Sequence, residues 1–215
     1  MITDNALTVI NLFHTDLKVA KELVYDKCGF DLTNPKLNSE SLEYGACSFG
    51  LNGKAIQHRV SKITPKKTGQ FVTIWKRNKD GITEPFHISD DIDFIIITTR
   101  SGNNLGQFVF PKSVLADKRI ITRNGKEGKR GIRVYPPWDI AINKQAEKTQ
   151  NWQTKYFLII KNDDATDLDL AKKLFAKNNW ELCQDTININ PAQFGDTLYA
   201  DILLRPLIDC PELKV

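Results

Sequence analysis

Near residue 43 the apolar pattern changes its period from that of a helix to two, and this switch limits the possible folds more than any other feature. Upstream, Leu7, Ile10, Leu12, Phe13, Leu17, Ala20, Val24 and Cys28 recur at helical spacing, predicting an amphipathic helix over 5–28 that Gly29 stops. "LTNPKLNSES" (32–41) reads as a polar loop around Pro35. "EYGACSFGL" then reads as a strand that turns at Asn52-Gly53, the dipeptide of tight hairpins. "AIQHRVSKIT" returns with Ile56, His58, Val60 and Lys62 on one face, and Pro65 ends it. After "PKKTG", "QFVTIWKR" runs back with Phe71, Thr73, Trp75 and Arg77 opposite Val72, Ile74 and Lys76. "DFIIITT" and "GQFVFP" form a further strand pair across the turn-rich "RSGNNLG".

Beyond these strands, "KSVLADKRI" predicts a short helix capped by Ser113, and the flexible "TRNGKEGKRG" leads into "IRVYPP", a final core strand. A helix opened by Asp139 follows, with Gln145, Thr149, Trp152 and Tyr156 along one face. This order gives an α+β fold, a mixed central β-sheet flanked by helices, rather than alternating βα units. Residues 1–157 are expected to form the core. Residues 158–215 carry ten acids against six bases and are expected as an acidic C-terminal extension packed on it, as a subdomain or as added strands. No apolar run is long enough to span a bilayer, and the N-terminus lacks the basic charge of a signal peptide, so the expectation is a cytoplasmic protein with no membrane partner. Cys28, Cys47, Cys183 and Cys210 make no CxxC pair and are expected as buried free thiols.

The net charge of +4 conceals a division. Residues 54–133 hold 17 Lys and Arg against seven acids, a net of +10, whereas the remainder holds 13 against 19, a net of −6. Solvated surface lysine accounts for single residues but poorly for so strong a segregation, which predicts a basic face in the middle of the chain. On adjacent strands joined by "TPKKTG", Arg59, Lys62, Lys66, Lys67, Lys76 and Arg77 are expected to form one patch for phosphates. Trp75, Tyr135, Trp138 and Trp152 are the candidates for base stacking, an interaction that favours single strands. Trp75 fits core packing as readily, while Trp138, after two prolines, reads as exposed. Arg133 is a candidate phosphate contact or a structural partner.

Other chemistry is largely excluded. The sequence has no GxGxxG after a strand, no Walker motif, no GxSxG and no HExxH, and its three histidines (His14, His58, His87) are dispersed. No cofactor or metal is expected. Gly125, Gly128 and Gly131 beside lysines suit a flexible connection better than a phosphate cradle. A metal-dependent nuclease built on a strand pair needs an acid on one strand, then an acid and a lysine two apart on its partner. Asp90, Asp91 and Asp93 head "DDIDFIIITT", but on "LGQFVFPK" Gln107 and Val109 stand where the acid and lysine are required.

Across residues 40–157 the blocks "EYGACSF", "RVSKITPKKTGQFVTIWKR", "DDIDF", "GQFVFPKSVL", "KRGIRVYPPWD" and "QAEKTQNWQTKYF" resemble, in order, those of the MepB-like family of bacterial proteins. The resemblance implies a fold similar to PD-(D/E)XK endonuclease-like domains, nucleic-acid binding and a degenerate nuclease centre. It places the first metal-binding acid at Asp93 and the acid-x-lysine position at Gln107 and Val109, which depart from the active pattern. The expected function is binding of single-stranded DNA or RNA through the basic strand hairpin with Arg133, Trp138 and Trp152, without catalysis. The alternatives are a nuclease with a relocated centre recruiting Glu43, Asp93 and Lys62 or Lys112, and a basic module for an acidic protein partner.

Overall fold

The computed structural model describes residues 4–38, 41–162 and 165–176. Its centre is a six-stranded mixed sheet in the order β1-β2-β3-β8-β9-β11, formed by β1 (Leu32–Leu37), β2 (Cys47–Leu51), β3 (Lys54–Val60), β8 (Phe94–Ser101), β9 (Asn104–Pro111) and β11 (Phe157–Ile160). Neighbours pair antiparallel except β3 and β8, which run parallel. "FIIITT" is apolar without alternation because β8 is central and both of its faces are covered, so Phe94 to Thr99 are all buried.

On one face of the sheet lie α1 (Asp4–Asn11), α2 (Thr15–Ala20), a π-helical turn (Lys21–Tyr25) and α5 (Leu168–Ala176). They enclose a core of Phe13, Leu17, Val24, Tyr25, Phe49, Ile56, Phe94, Ile96, Val109, Leu158 and Phe175. The single helix expected over 5–28 is broken at His14, whose Nδ1 accepts from the Asp16 amide and caps α2. Buried Asp16 then accepts from Arg100 Nε at 2.7 Å, fastening α2 to the end of β8. The expected polar loop at 32–41 contains β1. Pro35 is tolerated because β1 is an edge strand, irregular between Thr33 and Lys36, with Asn34 left-handed at φ 48°.

The other face carries a second layer. A three-stranded sheet in the order β10-β5-β4 comprises β4 (Lys62–Thr64), β5 (Lys67–Thr73) and β10 (Gly131–Val134). Beside it lie the hairpin of β6 (Trp75–Arg77) and β7 (Thr83–Pro85), the short α3 (Lys112–Asp117) and α4 (Lys144–Gln153). The long strands expected at 55–64 and 70–77 are therefore each divided, at Ser61 and Ile74, as the chain passes from one sheet to another. β10 belongs to the small sheet rather than the central one. Pro111 rather than Ser113 stands at the N-cap of α3, and α4 is opened by Asn143, whose Oδ1 accepts from the Ala146 amide, instead of by Asp139.

The division expected after 157 falls inside β11, which pairs with β9, and α5 buries Ala171, Leu174 and Phe175 in the main core. Residues 177–215, with Cys183 and Cys210, lie outside the described residues. No described helix is long and apolar enough to cross a membrane.

Candidate nucleic-acid interface

The small sheet has two unlike faces. Register aligns Lys62 with Phe71 and Phe71 with Arg133, so the three side chains form one row across β4, β5 and β10. The alternate positions Gln70, Val72, Ile132 and Val134 are buried against the central layer. Lys62, Phe71, Thr73 and Arg133 are all half-exposed. Tyr44, from a 3₁₀ turn (Leu42–Tyr44), meets Phe71 edge-on at 6.4 Å, and Lys62 Nζ stands 4.4 Å above the Tyr44 ring. Lys62 also pairs with Glu43 at 2.7 Å, on the surface.

Glycine shapes this row. A Cβ at Gly131 would lie 2.7 Å from the Phe71 ring, and one at Gly69 would lie 2.6 Å from Tyr135. Each ring therefore lies over a glycine of a neighbouring strand. Gly69 additionally sits at φ +73°, a conformation that costs other residues energy.

The cations expected as one patch are separated. Arg59 lies on β3 beneath the second layer and is 4% exposed, with Nη1 donating to the His58 carbonyl and Nη2 reaching the Trp75 carbonyl. Period-two alternation assigned it a face but not a depth, and its guanidinium serves the interior. Lys66 and Lys67 are exposed at the β4–β5 turn, as a phosphate contact requires. Lys76 leaves the small sheet for the β6–β7 hairpin, where it pairs with Asp90 at 2.5 Å and with Glu84 at 3.3 Å. Partial burial opposes its charge, but the two carboxylates outweigh that and raise its pKa. Arg77 donates to the Gly81 carbonyl and lies over Trp75 at 5.5 Å.

Arg133 is a staple. Its Nη1 donates to the Gly69 carbonyl at 3.0 Å and the Thr68 carbonyl at 3.3 Å, and its Nη2 donates to Thr64 Oγ1 at 2.7 Å, gripping the β4–β5 turn. Trp138, expected exposed, packs edge-on against Phe157 at 5.3 Å with its Nε1 buried and unpartnered. Ile140 and Ile142 are the exposed large hydrophobic residues of that loop.

Trp152 packs on Phe110 at 5.3 Å and lies under Lys118 Nζ at 5.5 Å. It lines a cavity of about 350 Å³ at the β10 edge, with Lys118, Lys129, Arg133, Tyr135, Gln145 and Thr149. The floor of this cavity is held by Gln153, 1% exposed, whose amide accepts from Tyr135 N and donates to Arg133 O. A larger cavity of about 470 Å³ lies by the β6–β7 hairpin and includes Arg59, Trp75, Lys76, Asp90 and Asp91 in its lining.

The nuclease positions do not converge. Gln107 pairs with Thr98 and Val109 with Ile96, deep in the helix-covered face, where Gln107 binds Tyr25 and Thr98. Neither stands opposite Asp93; Phe94 pairs with Pro111, so the strand end beside Asp93 offers Phe110, Pro111 and Lys112. Asp93 Oδ2 accepts from Ala55 N at 2.8 Å, at the head of β3. Glu43 and Lys62 lie near the other end of β3, whose seven residues extend about 20 Å, so the relocated trio with Asp93 is not assembled. Lys112 Nζ donates to the Asp90 carbonyl. Among the described residues, no three His, Cys, Asp or Glu are grouped to hold a metal ion. His58 is buried between Gly45 O and Thr98 Oγ1, and burial lowers its pKa to about 3. Its neighbour Cys47 is pushed up to about 12 by burial, and Cys28 is half-buried and raised by the same cause.

Tyr44 and Phe71 were absent from the sequence candidates. Phe71 alternates outward with Thr73, and glycines at 69 and 131 mark where rings lie, but only the register reveals that they meet.

These features define an α+β protein with a mixed sheet, helices on one face and, on the other, a small cation- and aromatic-bearing sheet with two further helices beside it. A family model described as MepB-like matches residues 38–159, and the chain belongs to that family. It is similar to the crystal structure of MepB, with 29% identity and a TM-score of 0.60 over 70% of this chain and 99% of that one. A bacterial homing endonuclease aligns with 16% identity and a TM-score of 0.37, over 76% of this chain and 98% of its own. The comparison with curated proteins gave no match.

Proposed function

We propose that the protein binds nucleic acid, preferring single-stranded DNA or RNA, on an endonuclease-like fold that does not cleave it. The observation that carries this reading is the pairing of Lys62 with Phe71 and Tyr44 on the outer face of the small sheet, in a row that Arg133 braces and Lys66 and Lys67 flank, within a segment of net charge +10. Cations neutralise phosphates without reading sequence, and half-exposed rings offer stacking that duplex bases do not need. The carboxylates that a nuclease would use have other partners: Asp93 with Ala55 N, Asp90 with Lys76 and His87 N, and Glu43 with Lys62. The β9 end beside Asp93 supplies no second acid, so the degenerate reading stands on Phe110, Pro111 and Lys112 rather than on Gln107 and Val109.

The test is to incubate labelled single-stranded and duplex oligonucleotides with the protein in Mg²⁺ and in Mn²⁺, then read complexes on native gels and products on denaturing gels. Retention of intact single strands in preference to duplex is the expected result. Cleavage abolished by Asp93→Asn would contradict it in favour of a nuclease. Equal or tighter capture of an acidic peptide would favour a protein-binding module.

A further inference from the structure

Resting on the nucleic-acid reading above, we propose that the outer face of the small sheet and the cavity at its β10 edge form one single-strand track. In it Tyr44, Phe71 and Trp152 stack on bases, while Lys62, Lys118 and Lys129 hold phosphates. The track runs across the strands. The row from Lys62 through Phe71 to Arg133 crosses two strand spacings, about 10 Å. The cavity begins where that row ends, since Arg133 belongs to both, and it continues to Trp152 and Lys118.

Three features make the surface suited to bases. Phe71 lies over Gly131 and Tyr135 over Gly69, so their rings follow the sheet surface. Arg133 is committed to the β4–β5 turn and Gln153 to the β10 edge, so the framework is fixed before a ligand arrives. The cavity, at about 350 Å³, is sized for a small ligand and takes one base with its sugar.

Electrostatics separates this track from the larger cavity. Among the described residues, the lining at the β10 edge holds no carboxylate. The lining by the β6–β7 hairpin contains Asp90 and Asp91, and Lys76 there is already paired with Asp90 and Glu84. A polyanion entering the larger cavity meets acids; one crossing the small sheet meets Glu43, in an exposed pair that a phosphate can displace.

The experiment uses the full chain bound to oligo(dT) carrying iododeoxyuridine, irradiated and mapped by mass spectrometry, together with affinities of variants. Expected adducts fall on Tyr44, Phe71 or Trp152. Phe71→Leu keeps an apolar group over Gly131 but loses the π-face, and is expected to weaken binding about 5- to 100-fold without changing the thermal melt. Trp152→Phe retains more affinity than Trp152→Ala, Trp75→Leu changes little, and Glu43→Gln tightens binding by releasing Lys62. Adducts confined to Trp75 and the β6–β7 hairpin, with binding intact, would overturn the track and leave the broader function standing. Absence of any complex at low salt would remove both.

Discussion

Replacing Arg133 by alanine separates a structural cation from a phosphate contact. Its guanidinium donates to the carbonyl of Gly69 at 3.0 Å and to Thr64 Oγ1 at 2.7 Å, with a longer bond to the Thr68 carbonyl. A charged donor contributes about 1.5 to 3 kcal/mol per buried hydrogen bond, and half-exposure places these at the lower end. Counting the two short bonds at about 1.5 kcal/mol each, Arg133→Ala is expected to cost about 3 kcal/mol. With a urea slope of about 2 to 3 kcal/mol per molar, the unfolding midpoint falls by about 1 to 1.5 M. Losing one phosphate contact would instead make the plot of log affinity against log salt shallower by about 0.7 for a single strand. The assay is urea unfolding followed by tryptophan fluorescence, beside anisotropy titrations at several salt concentrations. A lowered midpoint with an unchanged salt slope is predicted. An unchanged midpoint with a slope reduced by about 0.7 would refute the staple and make Arg133 a ligand contact.

Three further perturbations follow from the same geometry. Lys66→Gln with Lys67→Gln removes two exposed cations, so the single-strand salt slope should flatten by about 1.4 while stability stays within about 0.5 kcal/mol, checked by the same two assays. Asp93→Ala leaves Ala55 N without its acceptor and should cost about 1 to 2 kcal/mol in unfolding experiments while oligonucleotide affinity is retained. Burial holds His58 near 3 in the folded state against 6.5 in the open chain, so the unfolded chain takes the proton first. Stability due to this residue is full above pH 6.5 and falls toward pH 3, by up to about 1.4 kcal/mol per pH unit. The difference in stability between wild type and His58→Gln across that window measures it, and a difference independent of pH would contradict the buried neutral imidazole.

What could be read from the chain depended on how local the cause was. The Asn52-Gly53 turn needs only two residues with positive φ, 51° and 74°, and the hairpin of β8 and β9 needs only two apolar runs and a short turn. β1 was hidden because its Pro35 is acceptable only at a sheet edge, and edge position is a property of the whole topology. Arg59 was misassigned because alternation distinguishes two faces but cannot show that both are covered. Gln107 and Val109 were placed by counting along one strand, whereas the register pairs them with Thr98 and Ile96, away from Asp93. Lys76 and Arg77 were detached from the expected patch by the break at Ile74, where the chain leaves one sheet for another. Tyr44, separated in sequence from Phe71, became part of the candidate site only through tertiary contact.

The most direct test of the central claim is a salt titration of equilibrium binding, by fluorescence anisotropy, to one labelled sequence offered as a single strand and as a duplex. Nucleic-acid recognition by the small sheet predicts tighter binding of the single strand, with affinity falling steeply and linearly in log salt. Affinity that is indifferent to salt, or absent for both forms at low ionic strength, would contradict it.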